Sequence, residues 1–130
     1  MFQDRKKDFL QRLIEEFFKK LNELVNGKQA LSDSERKSVL NDCFQFFSDN
    51  FGVSAEDNDS TILEKVRDVE LLEQYAKLLL IKYEIADIKE KEQLLTALSI
   101  VEYVQKTDNT YSWERNILHE DILRLIDSNT

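Results

Sequence analysis

The sequence predicts an all-α fold, a compact bundle of five main helices and one short helix, and three observations support this prediction. Apolar residues recur at spacings of three and four along most of the chain, as they do on one face of a helix. The chain has only two glycines and no proline, whereas strand-rich folds need many turns built from these residues. At 130 residues it is long enough for one domain with its own core. We therefore expect a single helical domain, with an N-terminal helical hairpin over residues 1–52 and a helical array over residues 61–130.

The N-terminal hairpin is predicted from two apolar faces and the glycines that follow them. The first face runs over residues 2–26 and ends at Gly27, a residue type that readily adopts the left-handed conformation just past a helix end. The second helix is expected to begin at Ser32, which has the capping-box spacing to Glu35. It is expected to end at Gly52 for the same reason as the first.

A central helix is predicted over residues 69–88, with the sequence VELLEQYAKLLLIKYEIADI. Its apolar residues cover more than half of the helix circumference, which predicts burial against neighbours on several sides. A membrane span would need about 18 or more consecutive apolar residues, and charged residues interrupt this stretch. Before it come a polar linker over residues 53–60 and a short helix over residues 61–67, opened by a capping box between Thr61 and Glu64.

Two further helices complete the predicted array. Leu94, Ala97, Leu98, Val101 and Val104 form the apolar face of a helix over residues 90–106. After a polar loop at residues 107–110, Leu118, Ile122, Leu125 and Ile126 form the inner face of a last helix over residues 112–127.

The order of these segments resembles a family of small uncharacterised bacterial all-helical proteins with a tetratricopeptide-like C-terminal array. The resemblance rests on the segments DFLQRLIEEFFKKLNEL, LLEQYAKLLLIKYEIAD and LLTALSIVEYVQKTDNTYSWERN and covers most of the chain. It implies tetratricopeptide-like packing of helical pairs in the C-terminal half, with Ala76 and Ala97 where helices cross. The chain departs from that repeat pattern in having no proline and no second copy of the repeat. The resemblance implies no activity.

Composition restricts the classes of function. The net charge is −8, and an acidic surface repels phosphate backbones, so we expect no nucleic-acid partner. A single cysteine, Cys43, allows no internal disulfide and fits a reducing compartment. The N-terminal residues contain no apolar stretch of signal-peptide length. These features predict a cytoplasmic protein without a membrane partner.

The predicted interaction surface consists of aromatic residues. The first helix has a wide apolar face with basic flanks, and interleaved acidic residues favour a solvated face over a membrane surface. Trp113 projects away from the apolar arc of the last helix, where it either packs at the edge of the bundle or contacts a partner. The residues of this predicted interface are Phe2, Phe9, Phe18 and Trp113.

A pocket between the helical layers is the alternative site. Ligand pockets in bundles lie between helices, and the predicted lining residues are Tyr75, Tyr83, Tyr103 and His119. His119 is the only histidine. Catalysis or metal binding would require partners converging from other helices, so a structural role is favoured.

No catalytic, cofactor or metal motif is present in the sequence. Cys43 lies within an apolar helix face, as buried cysteines often do. Residues 57–61 have a fragment of calcium-loop spacing, but Ile62 stands where the loop needs glycine. We therefore expect a non-enzymatic interaction or scaffolding module that binds a protein partner or self-associates, with a homodimer as one form. A small-molecule or regulatory-ligand sensor is the alternative, and an enzyme is third.

Overall fold

The computed structural model confirms the all-α fold class, because all regular secondary structure in its described residues is α-helix. Five continuous helices are described: α1 Asp33–Phe51, α2 Asp59–Lys65, α3 Val69–Ile85, α4 Lys91–Thr107 and α5 Trp113–Ser128. The structure describes residues 8, 9, 11–13, 15, 16, 19, 32–54, 56–110 and 112–128.

The first predicted helix is described only in part. All the described residues between 8 and 19 are helical, which agrees with the prediction for that part of the chain. The remainder of residues 2–26, together with Gly27, lies outside the described residues.

Helix α1 begins and ends as predicted. The Ser32 hydroxyl accepts a hydrogen bond from the Glu35 backbone N–H at 3.3 Å and donates one to the Glu35 carboxylate at 3.0 Å. This satisfies one of the free N–H groups of the first turn. Gly52 follows the helix with a φ of 69°, a left-handed conformation that side chains disfavour. The buried side chains of α1 are those of Leu40, Cys43, Phe46 and Phe47.

The predicted start of α2 at Thr61 is wrong. The helix begins two residues earlier, at Asp59, because the Asn58 side chain accepts a hydrogen bond from the Thr61 backbone N–H at 2.9 Å. Asparagine is a better N-cap residue than threonine, so Asn58 sets the boundary. The helix ends at Lys65 rather than at the predicted residue 67.

Helix α3 is the central helix that the sequence predicts. Asp68 caps its start by accepting hydrogen bonds from the N–H groups of Glu70 and Leu71. The helix ends at Ile85, three residues before the predicted end. There the Lys89 ammonium donates hydrogen bonds to the carbonyl oxygens of Tyr83, Glu84 and Ala86. The buried side chains confirm its wide apolar surface: Leu71, Leu72, Tyr75, Ala76, Leu78, Leu79, Leu80 and Tyr83.

The chain divides into two compact units, Met1–Asn50 and Phe51–Thr130, and each is described by itself. In the second unit α4 is the middle element, because it packs against α3, α5 and α2. Ala76 of α3 and Ala97 of α4 are both completely buried. Short connections over residues 86–90 and 108–112 join α3 to α4 and α4 to α5. The arrangement of α3, α4 and α5 is that of a helical bundle; the tetratricopeptide-like repeat stays a prediction.

Candidate interaction groove

An open groove of about 560 Å³ lies in the second unit, formed by α2 with the residues before it, the middle of α3 and the first half of α4. We call it the α2–α4 groove. Its lining combines an apolar floor with charged edges. The lining residues are Glu56, Asp57, Asn58, Ile62, Tyr75, Leu79, Lys82, Glu90, Glu92, Gln93, Leu95 and Thr96.

The floor of the groove is apolar and buried. Ile62 of α2 and Tyr75 and Leu79 of α3 line the groove here, and all three side chains are buried. Burial, followed by the nearby Asp57 carboxylate, raises the pKa of Tyr75 to about 12, so the phenol is neutral near pH 7. Leu95 stands at the edge with 45% of its surface exposed. An exposed leucine next to a buried apolar floor offers contact area to another molecule.

Lys65 stabilises the residues before α2, which form one wall of the groove. Its ammonium donates hydrogen bonds to the Asp57 carboxylate at 2.7 Å and to the Gly52 carbonyl at 2.8 Å. Asp57 also accepts a hydrogen bond from the Ser54 N–H at 2.9 Å. The hydrogen bond from Lys65 lowers the pKa of Asp57, and that from Ser54 lowers it further. The Asp57 carboxylate therefore already accepts two hydrogen bonds that stabilise this loop.

The start of α4 forms another part of the groove wall. Glu90 is its N-cap residue but makes no side-chain capping hydrogen bond. Glu92 lies in the first turn, where the helix dipole favours negative charge. Both side chains are exposed. Beside them the Gln93 Oε1 atom is enclosed and has no hydrogen-bond donor among the described residues. Of these groups, the two glutamate carboxylates are accessible from the groove.

A second polar cluster surrounds Arg115, which is buried on α5. Its Nε donates to Glu73 at 2.7 Å, its Nη2 to Asp108 at 2.8 Å, and its Nη1 to the Thr110 carbonyl at 3.3 Å. All three guanidinium nitrogens are therefore engaged. The backbone N–H of Thr110 lowers the pKa of Asp108, and the Arg115 hydrogen bond adds to this effect. A smaller cavity of about 380 Å³ lies beside the cluster. We interpret the cluster as a structural clamp between α3, the α4–α5 connection and α5.

The four residues of the predicted pocket occupy different environments. Tyr75 lies on the floor of the α2–α4 groove, whereas Tyr83 is buried, Tyr103 is exposed and neither is among the groove's lining residues. His119 is half-buried, with its Nε2 3.9 Å from the Glu102 carboxylate. Of the four, only Tyr75 therefore lines one of the two cavities described above, and the four do not come together in either of them.

The predicted interface residues are described only in part. Phe9 and Trp113 are 62% and 68% exposed, while Phe2 and Phe18 lie outside the described residues. Ile117, one turn after Trp113 on α5, is also exposed. These two α5 side chains offer an apolar surface on the side of the helix away from buried Leu118 and Ile122.

Cys43 is buried on α1. Burial, followed by the charge of Asp42, raises the pKa of its thiol to about 12, so it is a poor nucleophile near pH 7. In the part of the chain that the structure describes, no group of three or more His, Cys, Asp and Glu side chains is arranged to hold a metal ion.

Membrane insertion has a length requirement for helices. Among the described residues, no helix combines the length and the apolar character needed to cross a bilayer.

Comparison with protein-family models, curated proteins and solved structures finds no match for this chain.

The sequence alone did not predict the α2–α4 groove or the Arg115 clamp. The groove needs residues from three helices, and its carboxylates have no recognisable spacing along the chain. The clamp did leave a signal: Arg115 falls on the same helical face as Leu118 and Ile122, at spacings of three and seven residues. A charged residue on a buried face implies a partner.

Proposed function

We propose that this chain is a non-enzymatic protein-interaction module and that the α2–α4 groove binds a segment of its partner protein. The observation that carries the proposal is the groove itself, with a buried apolar floor and exposed Leu95 at its edge. Partner segments dock into grooves of this kind by inserting apolar side chains.

The fixed walls of the groove support the proposal. Lys65 holds the loop before α2 through Asp57 and Gly52, and Lys89 holds the connection that leads into α4. A binding surface that is ordered before the partner arrives loses less conformational entropy on association.

A random-peptide library displayed on phage and selected against the full-length chain tests this proposal. We expect enriched peptides to bind the wild-type chain and to lose binding to Leu95→Asp. Leu123→Asp is the matched control, because Leu123 is a similarly exposed leucine on α5 away from the groove. Thermal unfolding monitored by circular dichroism verifies that both variants fold.

Enriched peptides that bind Leu95→Asp and Leu123→Asp equally would refute the groove as the binding site. A selection that enriches no peptide would refute the proposed function.

A further inference from the structure

We infer that the α2–α4 groove is built for a basic amphipathic peptide, in which lysine or arginine residues flank apolar side chains. This inference rests on the proposed function and specifies the chemistry of the partner segment. It depends on two features of the lining residues: their charge and their apolar floor.

The charge of the lining residues is strongly one-sided. Four carboxylates, those of Glu56, Asp57, Glu90 and Glu92, line the groove, and Lys82 is the one cation among the lining residues that the structure describes. Asp57 is already paired with Lys65. The other three carboxylates are exposed. Opposite charge across an interface accelerates association and rejects partners of the wrong sign.

The exposed carboxylates come from two separate segments of the groove lining. Glu56 belongs to the loop before α2, and Glu90 and Glu92 belong to the start of α4, so acidic groups stand on two different walls. The same groove is lined by the apolar side chains of Ile62, Tyr75 and Leu79. A peptide that carries both cations and an aliphatic side chain is complementary to both kinds of lining residue.

The apolar lining residues favour a peptide over a small polycation. Leu95 at the edge gains from contact with an apolar side chain, since burying apolar surface is favourable. A peptide supplies apolar side chains and cations in one molecule.

Fluorescence anisotropy with labelled synthetic peptides tests the inference on the full-length chain. The probe is a short peptide with a lysine pair on each side of a leucine pair. Two comparison peptides replace the lysines with glutamates or the leucines with serines. We expect only the first peptide to bind tightly. Its affinity should fall as salt is added, because exposed charge pairs are screened.

Glu92→Lys and Glu114→Lys provide the decisive pair of variants. Both glutamates lie in the first turn of a helix and are exposed, so both substitutions change the net charge and the helix dipole interaction equally. Only Glu92 lines the groove. We expect Glu92→Lys to weaken binding about fivefold or more, the effect of reversing one nearby charge in water, and Glu114→Lys to change it less than about twofold, as expected for a distant screened charge.

The outcomes separate this inference from the proposed function. Equal weakening by Glu92→Lys and Glu114→Lys would overturn the inference, because it would show only attraction to the net charge of −8. Competition by spermidine as strong as that by the peptide would overturn it in favour of a small polycation. If selection instead yields acidic or uncharged peptides whose binding depends on Leu95, the inference fails and the proposed function stands. If no peptide depends on Leu95, both fail.

Discussion

Arg115→Met tests whether the Arg115 cluster holds the second unit together. Methionine has a similar length and a good helix propensity, so the substitution mainly removes the hydrogen bonds to Glu73, Asp108 and Thr110. The Arg115 and Glu73 side chains are 9% and 17% exposed. A hydrogen bond to a charged group contributes about 1.5–3 kcal/mol, and the Glu73 carboxylate is left partly buried without its partner.

We therefore expect Arg115→Met to lower the free energy of unfolding by at least about 2 kcal/mol. Urea denaturation followed by circular dichroism measures this change. Arg124→Met is the matched control on the same helix, because Arg124 pairs with Asp121 at 2.9 Å but its side chain is 75% exposed. Exposed pairs contribute about 0.5 kcal/mol or less.

Equal losses in the two variants, or a loss below about 0.5 kcal/mol in Arg115→Met, would refute this reasoning. A double-mutant cycle with Glu73→Gln isolates the pair itself. We expect a coupling energy of about 1 kcal/mol or more, as for other residues joined in one network.

Three further predictions concern the core, the thiol and the groove wall. Leu79→Asp places a charge on the buried floor and should abolish cooperative unfolding in urea, since an unpaired buried charge costs several kcal/mol; a cooperatively folded variant would show that the core is elsewhere. Cys43 should react with a thiol reagent at least about tenfold more slowly in the native chain than in guanidinium, because its thiolate is rare and buried; equal rates would contradict its burial. Asp57 has a pKa below its ordinary value of 3.8, so its stabilising effect is present above that value and is lost as the pH falls through the lowered pKa. The difference in stability between wild type and Lys65→Met should therefore shrink below about pH 3.8, and a difference independent of pH would argue against this ion pair.

The sequence predicted helix boundaries well where a single residue caps the free backbone groups of the neighbouring helix end. Ser32 with Glu35 starts α1 and Gly52 follows its end, as the capping spacing and the glycine predict. The wide apolar surface of α3 was equally readable, because periodicity reports burial directly. Helix boundaries were harder to predict where two nearby residues could each serve as the N-cap. Asn58 displaced Thr61 as the cap of α2.

The contacts that define the candidate site are not encoded in any local pattern. Arg115 and Glu73 are 42 positions apart, and the groove carboxylates come from two separate segments of the chain. Their proximity depends on how α2, α3 and α4 pack, and periodicity does not determine that packing. The predicted pocket residues illustrate the same difficulty: Tyr75 lies on the groove floor, whereas Tyr83 and Tyr103 do not line it.

The lysines that stabilise the groove are different from the glutamates that line it. The glutamates are therefore available to bind a partner. Lys65 donates hydrogen bonds to the Gly52 carbonyl and to Asp57, and Lys89 donates one to the Glu84 carbonyl. These hydrogen bonds fix the two segments that carry Glu56 and Glu90. The glutamates themselves are exposed, and Glu90 makes no capping bond. Substituting an exposed surface glutamate normally changes stability by less than about 0.5 kcal/mol. Glu92→Lys should weaken peptide binding while lowering the free energy of unfolding only by the helix-dipole contribution, about 1 kcal/mol, whereas Lys65→Met should destabilise the loop before α2 and weaken binding as a consequence.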